Sequence, residues 1–190
     1  MRCLMCESFS LSHICLTCKE NFLQPSLYKR KILGDVEVIS FYKYSEIEKL
    51  LHTKHTDLGY YIFTILAEMA FEPFAKAFSF SERVASIGVD ENSKSGYSHT
   101  ALLSRSLTCK DIRPHFSKLR AKNSISYSGK SREYRLMHPR EFLFTDIKEK
   151  NIIVVDDIIT TGFTLSQSVQ SLRKAHKEVL FCLTLADSSQ

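Results

Sequence analysis

Residues 152–164 read Ile-Ile-Val-Val-Asp-Asp-Ile-Ile-Thr-Thr-Gly-Phe-Thr: an apolar run meets two adjacent carboxylates, and three threonines then surround a glycine. Ionised carboxylates only accept hydrogen bonds, which suits Asp156 and Asp157 to the vicinal hydroxyls of a ribose. Thr160, Thr161 and Thr164 bring hydroxyl donors. Gly162 permits a backbone turn in which N–H groups converge. Where such a turn opens a helix, the unpaired N–H groups and the helix dipole together favour an anion. Ribose hydroxyls and a phosphate on one loop describe a phosphorylated sugar. The plainer alternative is a strand ending in polar residues, with threonine as a helix cap.

A second set of chemically capable residues lies at the N-terminus. Cys3-Leu4-Met5-Cys6 and Cys15-Leu16-Thr17-Cys18 form two C-x2-C units eight residues apart. Two residues between thiols let a tight turn aim both sulfurs at one ion, and four thiolates close a tetrahedral structural Zn2+ site. Two redox pairs or accidental thiols are the alternatives, with His13 as a substitute ligand. Such a module, expected over residues 1–24, has little apolar core, so its metal supplies the folding energy. A closed site has no open position for catalysis. Cys109 and Cys182 stand alone and read as structural, and His52, His55, His115 and His138 as surface or satisfied histidines.

The bulk of the chain must position these residues. Its 190 residues are 44% hydrophobic and 25% charged, enough for one globular domain with a small appendage. No stretch reaches the ~18–20 apolar residues of a membrane span. The most hydrophobic region, 60–80, is interrupted by Glu68, Glu72, Pro73 and Lys76. The first ten residues, MRCLMCESFS, lack the apolar core and small-residue cleavage site of a secretory signal. A cytoplasmic protein is expected, a compartment in which paired cysteines hold metal rather than disulfides.

The spacing predicts strands over 36–44, 84–89, 152–155 and 179–185, with a strand remnant at 111–114. It predicts helices from a Ser45–Glu48 capping box through Leu51, over 58–80 with a break or kink at Pro73, over 98–107, and after the glycine loop with Leu165, Val169 and Leu172 on one face. Residues 117–140 read as a long mobile segment. The domain is expected over 36–190, an α/β fold with a mostly parallel sheet. In such sheets ligands sit at the carboxyl ends of strands, where the acidic pair would lie.

Net charge is +5, but it is not evenly spread. From Arg105 to Glu141 there are ten Lys/Arg against Asp111, Glu133 and Glu141, a local +7, so the remainder is slightly acidic. Phe116, Tyr127, Tyr134 and Phe142 are interleaved with these charges. Cations with stacking rings hold single-stranded nucleic acid without sequence preference. A basic flap closing over pyrophosphate explains the same residues, and charge alone does not separate the two.

The run Val154-Val155-Asp156-Asp157-Ile158-Ile159-Thr160-Thr161-Gly162-Phe163-Thr164 resembles the phosphoribosyl-pyrophosphate motif of type I phosphoribosyltransferases. With four cysteines ahead of it, nearly the whole chain resembles the ComF family of competence proteins. Phe41-Tyr42-Lys43-Tyr44 is similar to that family's first strand after the zinc module. Ser95-Gly96-Tyr97-Ser98-His99 falls where the family has Arg-Gly-Phe-Asn-Gln, and Gly129-Lys130-Ser131-Arg132-Glu133-Tyr134-Arg135 resembles its Gly-Leu-Ser-x-x-x-Arg segment. Ser95 replaces the family's arginine, Tyr127 its glutamine and His138 its asparagine; Lys94 next door offers a point charge.

The resemblance implies type I phosphoribosyltransferase topology. It assigns the ribose to Asp156 and Asp157, the 5′-phosphate to Thr160, Thr161, Gly162 and Thr164, and pyrophosphate with Mg2+ to Lys94, Ser95 and Gly96. It also implies handling of incoming single-stranded DNA during natural transformation, with Lys118, Arg120, Lys122, Tyr127, Lys130, Arg132 and Arg135 on the strand. A competence helicase-like translocase is then a partner for the zinc module. A salvage enzyme joining a nucleobase to phosphoribosyl pyrophosphate, and a scaffold that binds this ligand without turnover, are the competing readings.

Overall fold

The computed structural model describes residues 1–89, 96–122 and 141–189. In chain order it has α1 (Leu16–Phe22), β1 (Tyr28–Ile32), β2 (Val36–Lys43), α2 (Tyr44–Leu51), a 3-10 turn (His52–His55) and α3 (Asp57–Ala77). There follow β3 (Val84–Gly88), α4 (His99–Ser106), β4 (Ile112–His115), β5 (Leu119–Ala121), β6 (Phe142–Phe144), β7 (Asn151–Ile159), α5 (Phe163–Lys174) and β8 (Glu178–Asp187).

Six strands form one sheet in the order β1-β2-β8-β7-β3-β4, with β5 and β6 paired separately. β1 is antiparallel to β2 and every other contact in the large sheet is parallel. The expected α/β class with a mostly parallel sheet is what the chain forms. Ile153 and Val155 of β7 pack into the cluster that holds Phe63 and Leu66 of α3 and Leu103 of α4. Ile152 and Val154 pack on the opposite side with Leu165, Val169 and Leu172 of α5. A strand apolar on both faces is thus the middle layer of three.

Several elements differ from expectation for identifiable reasons. β7 runs on through both aspartates to Ile159, because the ladder with β8 continues to the Ile159–Asp187 pair. α3 passes through Pro73 without a break; Pro73 is exposed and Ala70, Phe71 and Ala75 keep the helix buried on the other face, so the lost bond falls on the solvent side. α2 begins two residues early: Lys43 rather than Ser45 is its N-cap, and the Lys43 N–H donates to Glu46 Oε2 at 3.0 Å in place of the expected Ser45–Glu48 box. β1 and α1 were not expected. β1 carries Lys29 and Lys31 outward, as edge strands do, which masks its alternation. Part of the stretch expected to be mobile, Leu119–Ala121, is a strand whose Lys122 N–H then donates to the Glu141 carbonyl at 2.7 Å.

The N-terminal cysteines do not stand apart from this core. Cys3, Ile14, Cys18 and Leu23 are buried in the same cluster as Ile62 and Phe63. The buried Tyr42 hydroxyl donates to the Leu23 carbonyl at 2.9 Å.

Gly59, near the start of α3, is approached by both the 3-10 turn and the segment before α4. A Cβ there would lie 2.3 Å from both the Thr53 carbonyl oxygen and the Tyr97 hydroxyl. Helix propensity alone favours alanine by about 1 kcal/mol, but the backbone oxygen cannot move away. Gly59→Ala is therefore expected to destabilise the protein by about 1–3 kcal/mol in urea unfolding. A stability equal to or above wild type would contradict this close approach.

Candidate functional site

β7 is followed by α5 and then β8 on one side, while β3 is followed by α4 and then β4 on the other. The chain therefore leaves these two neighbours in opposite directions, which opens a crevice outside their carboxyl ends. Asp156, Asp157 and the loop to Gly162 line the β7 side of it. Gly96, with φ of +78°, and Tyr97 lead into α4 on the β3 side. Lys94 and Ser95 lie outside the described residues.

The two aspartates differ in surroundings because adjacent residues of a strand face opposite ways. Asp157 is only 6% exposed. Its Oδ2 receives Lys54 Nζ at 2.9 Å and lies 3.6 Å from His99 Nε2. Burial pushes its carboxyl upward, but the His99 and Lys54 charges outweigh that and hold it below the usual carboxylate range. Asp156 is half-exposed and its Oδ1 accepts the Asp157 N–H at 2.9 Å. Of the pair, Asp156 is the more open to a ligand.

Lys54 reaches Asp157 from the 3-10 turn, which is held in turn by the Tyr97 hydroxyl donating to the Lys54 carbonyl at 2.8 Å. His99 is buried at the first turn of α4 against the Phe63 ring, 5.5 Å between centroids, and Ser98 Oγ caps that helix by accepting the Ala101 N–H. Sequence reasoning missed Lys54 and gave His99 no role. The only signal was that a buried carboxylate needs a cation, and this one lies 103 residues earlier.

Thr160 and Thr161 are exposed, Gly162 is buried and Thr164 is half-buried. Gly162 has φ of +76° and is the N-cap of α5, a left-handed turn that favours glycine. Thr161 Oγ1 accepts the Phe163 N–H at 3.4 Å. The order strand, turn, helix start is thus as read from the sequence, and the first-turn N–H groups of α5 open into the crevice loop.

Of the basic residues singled out, Arg120 and Lys122 are exposed and Lys118 is half-buried; Tyr127, Lys130, Arg132 and Arg135 lie outside the described residues. Lys122 Nζ pairs with Glu141 at 2.7 Å. Phe142 is 8% exposed and joins the α5-side core, so it is no stacking ring. Phe116 is exposed and, with Tyr97, Ser98, Ala101, Leu102 and Arg105, lines an open groove of about 310 Å³ beside the crevice. No base pocket was legible beforehand.

The four N-terminal sulfurs lie within 4.8 Å of one another. Cys6 and Cys15 sulfurs are 3.7 Å apart, far beyond a disulfide bond of about 2 Å and close to the ~3.8 Å edge of a tetrahedron with Zn–S of ~2.3 Å. Burial pushes the Cys3 thiol up, but N–H donors from Cys15, Cys6 and Met5 outweigh it and hold it down at about 6. Burial and then the neighbouring thiols drive Cys18 upward. A dication resolves that conflict by accepting all four as thiolates, so the donor set fits a metal such as zinc.

The phosphoribosyl transferase domain profile matches residues 95–190. No curated protein matches the chain. Solved structures similar to it include hypoxanthine phosphoribosyltransferase from Staphylococcus aureus, at 15% identity and TM-score 0.43, over 66% of this chain and 62% of that one. Orotate phosphoribosyltransferase from Aeropyrum pernix has 16% identity and TM-score 0.44, over 92% and 81%. Adenine phosphoribosyl transferase from Trypanosoma brucei has 13% identity and TM-score 0.45, over 86% and 87%.

Two outcomes follow from the geometry. The purified protein should carry one zinc per chain, and its removal by chelator should lower the melting temperature; full stability of metal-free protein would exclude a structural ion. Because Asp157 ionises below the ordinary range when folded, its contribution is complete above about pH 4 and is lost as pH falls through the folded value. Lys54→Met should therefore destabilise by about 3 kcal/mol at pH 7, and the deficit should narrow at pH 3. A deficit equal at both pH values would rule out a charge-based role for Lys54.

Proposed function

The chain belongs to the phosphoribosyl transferase domain family, and from that premise we propose that it binds phosphoribosyl pyrophosphate, or a related phosphosugar, across the junction of β7 and α5. The observation that carries this reading is one strand end presenting a half-exposed carboxylate, a left-handed glycine and a helix start together at the crevice. Asp156 accepts from the ribose hydroxyls, with Asp157 beside it, and the N–H and hydroxyl groups of Thr160, Thr161, Gly162 and Thr164 receive the 5′-phosphate. The pyrophosphate falls to Lys94, Ser95 and Gly96. Mg2+ would neutralise charge on that pyrophosphate when bound. Any transfer then rests on positioning and charge stabilisation, with no protein nucleophile.

For the whole protein, we read a cytoplasmic competence protein that handles incoming single-stranded DNA, with a zinc module over 1–24 and the transferase-like domain over 36–190. The +7 stretch and the resemblance of the motifs to competence proteins support it, and a helicase-like translocase is the partner that reading implies. Among the described residues no helix is long and apolar enough to cross a membrane. The second reading is a nucleobase phosphoribosyltransferase. It is favoured by the groove between Tyr97 and Phe116, whose size and rings suit a planar base.

Fluorescence anisotropy of a labelled single-stranded oligonucleotide, with and without phosphoribosyl pyrophosphate and magnesium, separates the two. The competence reading expects sequence-independent binding that weakens steeply between 50 and 200 mM salt, as roughly six or more phosphate contacts would require. Absent or salt-insensitive binding, together with turnover of a purine, pyrimidine or orotate, favours the enzyme. In either case Asp156→Asn should weaken phosphoribosyl pyrophosphate by at least about tenfold, the loss of a charge-assisted hydrogen bond. Unchanged affinity would mean that the loop is not the ribose site.

A further inference from the structure

β1 is an edge strand with no part in the chemistry above, yet two of its side chains lie against the glycine loop. Arg30 donates from Nη2 to the Thr160 carbonyl and from Nη1 to Ser189 Oγ at 3.3 Å. Its Nε lies 3.3 Å from Asp187 Oδ2. Asp187 is 1% exposed, and its Oδ1 accepts the Ser189 N–H and hydroxyl, each at 2.8 Å. The Ser188 N–H closes this turn onto the Ile159 carbonyl at 3.0 Å. Ile32, two residues along β1, sits so close that a Cβ on Gly162 would come within 2.9 Å of its methyl group.

We propose that Arg30, held by the buried Asp187, is a positioning residue for the phosphate loop. It fastens the Thr160 carbonyl to the rear of the loop and so aims the N–H groups that receive the 5′-phosphate. In a trans peptide the carbonyl of one residue and the N–H of the next point in opposite directions. Turning the Thr160 carbonyl toward Arg30 therefore directs the Thr161 N–H away from β1. A carbonyl facing the ligand would repel a phosphate, whereas converging N–H groups form an anion-binding concavity. The fixed fork of a guanidinium hydrogen-bonds the Thr160 carbonyl and Ser189 Oγ while its charge pairs with Asp187; the single ammonium of lysine cannot span all three. The ligand in this inference rests on the phosphosugar reading, but the brace itself does not.

The test uses full-length, zinc-loaded protein with Arg30→Met and Arg30→Lys. Amide hydrogen exchange reads the loop without any ligand. In Arg30→Met the amides of residues 161–164 should exchange several-fold faster, while those of Ile152 to Val155 keep their protection. Affinity for ribose 5-phosphate should fall by about tenfold, the loss of a charged hydrogen bond's worth of ordering, while magnesium pyrophosphate binds as before. Arg30→Lys should recover only part of the loss. Unchanged loop exchange in Arg30→Met overturns the proposal. So does an equal loss across loop, strand and both ligands, which would make Arg30 a general stabiliser. Wild-type protein that binds neither ligand refutes the phosphosugar reading alone, and the exchange measurement still decides the brace.

Discussion

The rest of the crevice depends on a buried carboxylate that must stay ionised. Asp157 sits on the face of β7 that packs toward α3 and α4, where an unpaired charge is costly enough that a carboxyl would take up a proton instead. Lys54 and His99 remove that penalty. Each comes from a different element, so holding one charge fixes the 3-10 turn, the start of α4 and the end of β7 relative to one another. The close approach at Gly59 and the bond from Tyr97 to the Lys54 carbonyl follow from the same convergence. Such a cluster adds little net stability over an apolar core, but removing one partner strands the other.

Two identical side chains in sequence thereby acquire different tasks. The pleat sends Asp157 into the α3/α4 layer and leaves Asp156 half-exposed, its charge felt by the buried Cys182 on the α5 side, where burial first and Asp156 second push the thiol up. One acid is committed to architecture, and the other is half-exposed at the crevice. The same division recurs in the loop. Gly162 is buried against β1 while Thr160 and Thr161 are exposed. The proposed phosphosugar site would need both kinds of residue, because hydroxyls and N–H groups select a phosphate only if the backbone behind them cannot yield.

The cysteine cluster belongs to the same scheme of mutual support. Cys3 and Cys18 are buried with Ile14 and Leu23 in the cluster formed by α3, and the His13 ring lies 4.9 Å from that of Tyr61 on the same helix. The cysteine cluster therefore packs directly against α3. α3 in turn carries Phe63 against His99. The path from the N-terminal sulfurs to the crevice is thus one helix thick.

What was legible in the sequence was local. Apolar runs marked β2, β3, β7 and β8, the spacing of thiols marked the cluster, and Asp-Asp with Thr-Thr-Gly marked the loop, because each signal is complete within 16 residues or fewer. What escaped was every partner supplied from a distance. Lys54 and Arg30 are cations on short segments without apolar periodicity, and nothing near them in sequence distinguishes them from the other Lys and Arg residues of the chain. Their significance arises only when the fold brings Arg30 of β1 to the Thr160 carbonyl and Lys54 of the 3-10 turn to Asp157. The same holds for the end of β7. Two acids read as the close of a strand when judged alone, yet the ladder continues through them, since an ionised side chain is compatible with a buried strand once its counter-charge has been delivered by another part of the fold.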